Sequence, residues 1–245
     1  NGVISPGTGY GLEVKLNSWA TIRDNTVYNP QGPGLMCYGS NQGDPPCIFE
    51  GNYVEGSRNE GGIVIGGGPA VIRNNVLVRN ALGGISVQDY GGRGLLKDIW
   101  IVTNTIADNS DSGINVDWSQ ANGNLIAYNA FALKAGTPMF KPSSPAGAVV
   151  GNANCNPAIS CFVQPTTPPY DFWPVASGPL VNAAGSGSES WRPTDDFMGV
   201  MRGSSADAGA LERTAAGTGP ALGNGASRPP RLSAPQPDIT PPTVN

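Results

Sequence analysis

An all-β solenoid is the fold class this sequence predicts, and three observations predict it. A Gly followed by an apolar triplet recurs as Gly11-Leu12-Glu13-Val14, Gly34-Leu35-Met36-Cys37, Gly62-Ile63-Val64-Ile65, Gly84-Ile85-Ser86-Val87 and Gly113-Ile114-Asn115-Val116. An Asn set between apolar residues recurs in step, at Asn25, Asn52, Asn75, Asn104 and Asn129. Ile22, Phe49, Ile72, Ile101 or Ile126 stands three residues before each Asn, and Val27, Val54, Leu77, Ile106 or Phe131 two residues after it. Thirdly, no copy carries a helical period. A repeat of 22 to 29 residues made of short alternating strands marks stacked β-coils.

Half of each copy is constant and half variable. From each Asn to the next Gly the distance is nine or ten residues, whereas from Gly to the following Asn it runs from 13 to 20. Insertions confined to one point per coil project from one face, where solenoids bind their ligands. The insertions run Lys15 to Trp19, Tyr38 to Pro46, Gly66 to Pro69, Gln88 to Asp98 and Asp117 to Gly123. The middle one is nearly absent, so longer loops should flank a low saddle. Asn suits a sharp bend, because it tolerates left-handed backbone and its amide can bond the Asn one coil away.

This pattern resembles the right-handed parallel β-helix of the pectate-lyase-like superfamily, specifically its generic parallel β-helix repeats, over roughly residues 11 to 133. The resemblance implies five to seven coils and does not by itself choose a chemistry, since the superfamily includes lyases, hydrolases, epimerases, tailspikes and non-catalytic surface proteins. A later stretch resembles the terminal segment of secreted bacterial β-helix proteins. It reads Ser177-Gly178-Pro179-Leu180-Val181-Asn182, then Asp196-Phe197-Met198-Gly199, then Asp207-Ala208-Gly209-Ala210-Leu211-Glu212. That likeness implies a cap over the last open coil. Asp196, Arg202, Asp207 and Glu212 are then turn-holding groups, the alternative being an acidic site. The expected organisation is coils over 1–150, with Val149 to Asn152 as a degenerate sixth, a cap over 151–213 and a Pro-rich linker or tail over 214–245. The closing Asp-Ile-Thr-Pro-Pro-Thr-Val resembles the start of an immunoglobulin-like module, so further domains or a structural assembly are expected partners. Asn1 begins inside the repeat pattern, so further coils are expected before it.

Composition narrows the classes. Charged residues make up 13% of the chain against about a quarter in ordinary domains, in keeping with coils held by backbone ladders and small turn residues. A net charge of −4, with no run of Lys or Arg, argues against a nucleic-acid partner, and no stretch of eighteen apolar residues exists to span a bilayer. Cys37 and Cys47 bracket an insertion at places that face each other across the short turn of the minimal coil, where Ile65 and Ala70 stand. A disulfide there is expected, with Cys155 and Cys161 as the second pair. Two buried free thiols are the alternative. Disulfides imply an oxidising compartment and hence a secreted or extracellular protein, at a bacterial surface or in the periplasm.

Strand alternation decides which side chains leave the core. The second position after each Gly carries Glu13, Met36, Val64, Ser86 and Asn115 outward, and the fourth carries Lys15, Tyr38, Gly66, Gln88 and Asp117. Coils about 4.8 Å apart would make this a strip roughly 19 Å long. Polar strips with an occasional aromatic suit polysaccharide, whose rings offer an apolar face for stacking and hydroxyls for amides and carboxylates. Glu13, Asp89, Tyr90, Asn115, Asp117 and Trp118 are the expected substrate-binding residues, with Tyr90 and Trp118 stacking on sugars. The alternative for Trp118 is a roof over its own insertion. Elimination from a uronic acid needs a base and a partner for the carboxylate. Without His, the base falls to Lys15, Tyr38, Arg93 or Lys97, Arg93 is also suited to the substrate carboxylate, and Asp89 with Asp117 could hold calcium. Hydrolysis would need paired carboxylates from Glu13, Asp89 and Asp117. The Gly-His-Gly of polygalacturonases and the Asp-Pro-His-Glu of alginate epimerases are both absent. A non-catalytic surface, matrix or assembly module is the competing function.

Overall fold

A computed structural model describes residues 3–4, 9–39, 43–90, 95–185, 191–215, 217 and 219–232. Most of its strands form three parallel sheets wound into a β-helix of five complete coils, with further strands before the first and after the last, and Phe162–Gln164 pairs antiparallel with Asp171–Pro174 in a small separate sheet. Sheet A stacks Val3–Ile4, Thr26–Tyr28, Tyr53–Glu55, Val76–Val78, Thr105–Ala107, Ala130–Ala132 and Ala153–Asn154. Sheet B stacks the Gly-anchored strands Leu12–Val14, Leu35–Cys37, Ile63–Ile65, Ile85–Val87 and Ile114–Val116, followed by Phe140–Lys141. Sheet C stacks Thr21–Arg23, Cys47–Glu50, Ala70–Arg73, Ile99–Val102, Leu125–Ala127 and Ala148–Val150.

The apolar columns lie in register. Ile22 pairs with Phe49, Phe49 with Ile72, Ile72 with Ile101 and Ile101 with Ile126, and Val149 continues the row. Val27, Val54, Leu77, Ile106 and Phe131 form the matching row in sheet A. Both rows point inward to one continuous core, and its apolar burial is the main force holding the coils. The Gly column has a steric cause. A Cβ at Gly62 would sit 2.9 Å from the Gly84 carbonyl oxygen, and one at Gly84 would sit 2.6 Å from Ile106.

The Asn column is a hydrogen-bonded ladder that reaches a sixth member. The backbone N–H and the side-chain amide of Asn52 both donate to Asn75 Oδ1 at 2.9 Å, and the same pair of bonds links Asn25 to Asn52, Asn75 to Asn104, Asn104 to Asn129 and Asn129 to Asn152. The left-handed turn falls one residue earlier than the sequence suggested. Asp24, Gly51, Asn74, Thr103, Tyr128 and Gly151 carry the positive φ, which leaves each Asn free to act as the ladder. A second, shorter ladder runs from Ser57 through Asn80 to Asn109.

Both expected disulfides are formed, Cys37 with Cys47 and Cys155 with Cys161. The first joins sheet B to sheet C inside the core, at the base of the coil-2 insertion.

The segment expected as a cap packs, in its described residues between 155 and 232, along the outside of sheet A as a lateral flank. Tyr28, Tyr53, Val76, Val78, Ala107, Ala130 and Ala132 point away from the solenoid core and are buried beneath Phe172, Leu180, Phe197, Ala208, Ala210 and Leu222. The flank reaches back to the first coil, where the Arg228 backbone N–H donates to Thr26 Oγ1 and Tyr28 Oη donates to the Ala226 carbonyl. At the other end Val149, the last member of the sheet C row, remains 41% exposed. The Pro-rich tail falls partly within the flank. Its residues 233–245, with the segment resembling an immunoglobulin-like module, lie outside the described residues.

Candidate functional site

The insertions leave the coils between sheets B and C, so they gather along one edge of the solenoid. The coil-4 and coil-5 insertions enclose a cleft of about 300 Å³. Leu95, Leu96 and Lys97 line one side, Trp118, Ser119, Gln120 and Asn122 the other, and Asp89 and Asp117 complete it. The two aspartates lie close together because the Asp89 backbone N–H donates to Asp117 Oδ2 at 3.2 Å. Lys97 Nζ stands 3.6 Å from the Asp98 carboxylate.

Toward the first coil the outside of sheet B carries a file of tyrosines. Tyr10 and Tyr38 share a hydrogen bond of 2.9 Å between their hydroxyls, and their rings meet edge to face at 6.5 Å. That shared bond is the main cause pushing the Tyr10 phenol up to about 12. Tyr38 meets Tyr90 at 5.7 Å, although the two residues belong to coils 2 and 4. They can touch because coil 3 presents Gly66 between them. A Cβ there would stand 2.7 Å from the Tyr38 carbonyl oxygen and 3.1 Å from the Tyr90 ring. The near-absent coil-3 insertion is thus filled by two neighbouring rings, and the saddle expected from the sequence is not open at that point.

The expected polar strip is likewise covered in its middle. The outward row Glu13, Met36, Val64, Ser86 and Asn115 is in register as predicted. Met36, Val64 and Ser86 within it are nevertheless buried, the first two packing with Tyr38 and Tyr90. At one end Glu13 is taken up by Lys15, whose ammonium lies 2.7 Å from its carboxylate and 5.6 Å from the centre of the Tyr38 ring. At the other end Asn115 is half-buried on its strand, next to Ser86 and Lys141.

Of the expected site residues, Asp89, Lys97, Asp117 and Trp118 are brought together in the cleft, with Tyr90 directly beside them in sequence. Lys15, Glu13 and Tyr38 belong to the tyrosine file instead. Arg93 lies outside the described residues. Trp118 is 4% exposed, packs on the solenoid core and donates from Nε1 to the Ala146 carbonyl at 2.7 Å, which makes it the roof of its insertion rather than an open stacking face. Tyr10, Leu95, Leu96, Ser119 and Asn122 were not singled out by sequence reasoning. Tyr10 precedes the first Gly anchor and the others are loop positions, so no repeat column marks them. Calcium takes six to eight oxygens. Among the described residues no third acidic, His or Cys side chain joins Asp89 and Asp117.

Stacked parallel coils, an Asn ladder and insertions on one edge define a parallel β-helix protein. Residues 1–135 match the family described as Periplasmic copper-binding protein (NosD), and the chain belongs to that family. No curated protein matches the chain. The family and the two disulfides together identify a protein of the periplasm or the extracellular space. No helix of the described residues is long and apolar enough to cross a membrane.

Proposed function

We propose that this protein binds a polysaccharide along its insertion face and that, where the polymer is acidic, it cleaves the chain by β-elimination. One observation carries the reading: the tyrosine file ends at Tyr90, and the adjacent Asp89 already lines the cleft. The exposed Tyr10 and half-buried Tyr90 at the two ends of the file offer ring faces to sugar C–H groups, and the neighbouring cleft offers carboxylate, amide and hydroxyl partners for sugar hydroxyls. Lys97 is the proposed base within the cleft. Lys15 contacts polymer further along beside Tyr38, and Arg93 is the proposed partner for the uronate carboxylate.

The test is a binding screen of pectate, alginate, glycosaminoglycan and neutral polymers, with ultraviolet absorbance of an unsaturated product read in parallel. Binding with product formation is expected for an acidic polymer. Binding without product removes the lyase and leaves the recognition, and no binding at all removes both. A non-catalytic surface or assembly module is the second reading. It is favoured by the way charged groups on the face are taken up by one another, Glu13 with Lys15 and Lys97 with Asp98.

A further inference from the structure

Copper is held in proteins chiefly by imidazole, thiolate and thioether donors. The sequence contains no His, which removes imidazole from the whole chain. Its four cysteines are all buried in the two disulfides, which removes thiolate. The four methionines do not converge. Met36 is 1% exposed beneath Tyr38 and beside Val64, on the outside of sheet B. Met139 packs against the solenoid core, and Met198 against the core of the flank. Met201 follows Met198 by three residues yet is 65% exposed, so the two thioethers of this Met-x-x-Met stretch face different surroundings.

Several carboxylates are committed to cations. Glu50 is held by Arg23 and Arg73, Glu55 by Arg79, Asp108 by Lys134 and Asp111 by Lys141. In the corner ladder each interior Asn spends its carbonyl on the previous coil and its amide on the next. Among the described residues no three His, Cys, Asp or Glu side chains gather.

We infer that this chain has the fold of its family without a copper site of its own. The inference stands apart from the proposed polysaccharide binding and does not depend on it. Its test uses the oxidised full chain, loaded with Cu(II) in air and separately with Cu(I) under anaerobic conditions, then desalted and assayed for metal content and thermal melting. Copper is expected to leave with the small-molecule fraction, with the melting temperature unchanged in both cases. Stoichiometric copper eluting with the protein, or a melting temperature raised by either ion, overturns the inference. Uptake only by a sample whose disulfides have been reduced supports it, because the ligands would then be thiolates that the folded protein does not present.

Discussion

The Asn corner of the coils and the flank bury polar groups by opposite means. At the corner the work falls to neutral amides: six Asn side chains repeat one pair of bonds, each reading only the coil beside it. In the flank it falls to ionised groups with several partners each. Asp196 accepts from the backbone N–H of Met198, Val200 and Glu212, and Asp207 from those of Asn182 and Arg213. Arg202 joins the Asp207 and Gly209 carbonyls to Glu212 and to Asn74 of the solenoid. A repeated neutral bond adds stability coil by coil, so its loss is local. A shared charge ties distant turns together, and its loss leaves several groups unpaired at once.

The sharpest way to break that contrast is Arg202→Ala. The guanidinium is almost wholly buried, and its removal takes a partner from Glu212 and from three carbonyls, those of Asp195, Asp207 and Gly209, at an expected cost of about 3–5 kcal/mol. Urea unfolding should show the flank, reported by limited proteolysis within 191–215, lost ahead of the coils. A single unshifted transition would mean that the flank is not held by charge. Replacing Cys37 and Cys47 by Ser should cost about 2–4 kcal/mol and act on the coils, read from the solenoid's own transition. Asn75→Ala should cost less, about 1–3 kcal/mol, with faster hydrogen exchange at the Asn52 amide it leaves unpaired and little change two coils away. A loss spread evenly over all coils would contradict the nearest-neighbour account.

The smallest expected effect is that of pH, and its sign differs between groups. Burial pushes the carboxyls of Asp24, Asp196 and Glu212 above their ordinary range, against the pull of nearby arginines. Their contribution is fully present below the ordinary carboxylate pKa and is lost as pH rises through the raised values. Glu50 is opposite: burial would raise it, but Arg73 and Arg23 outweigh burial and hold it low. Its contribution is present above the ordinary value and fades as pH falls through the lowered one. The melting temperature should therefore hold or rise as pH drops from neutrality into the carboxylate range, then fall below the lowered Glu50 value. A steady decline from neutrality would contradict these assignments.

The solenoid was legible because its period is enforced by contact. Ile22 and its counterparts must stack in one tube, and Gly62 and Gly84 leave no room for a side chain, so the same residue types return in step. The insertion residues were legible as a group, since all leave from one corner. Their pairings were not, because which loop carboxylate meets which lysine depends on loop paths that no period fixes. The lateral course of the flank has a signal in the sequence. Val76 and Val78 alternate with Leu77, and Ala130 and Ala132 with Phe131, so these strands are apolar on both faces, as strands buried from two sides are.

The return of the chain from the last coil to the first bears on how the protein is made. Coils can close one after another as they leave the ribosome or the export channel, each on the one before. The outward side chains of sheet A, Tyr53 and Val76 among them, stay wet until Leu180, Phe197 and Leu222 arrive, and Arg228 must arrive later still. A nascent or truncated chain lacking only its final segments therefore carries a finished spiral with a bare, sticky side, and it is at that stage that the molecule is most exposed to clumping.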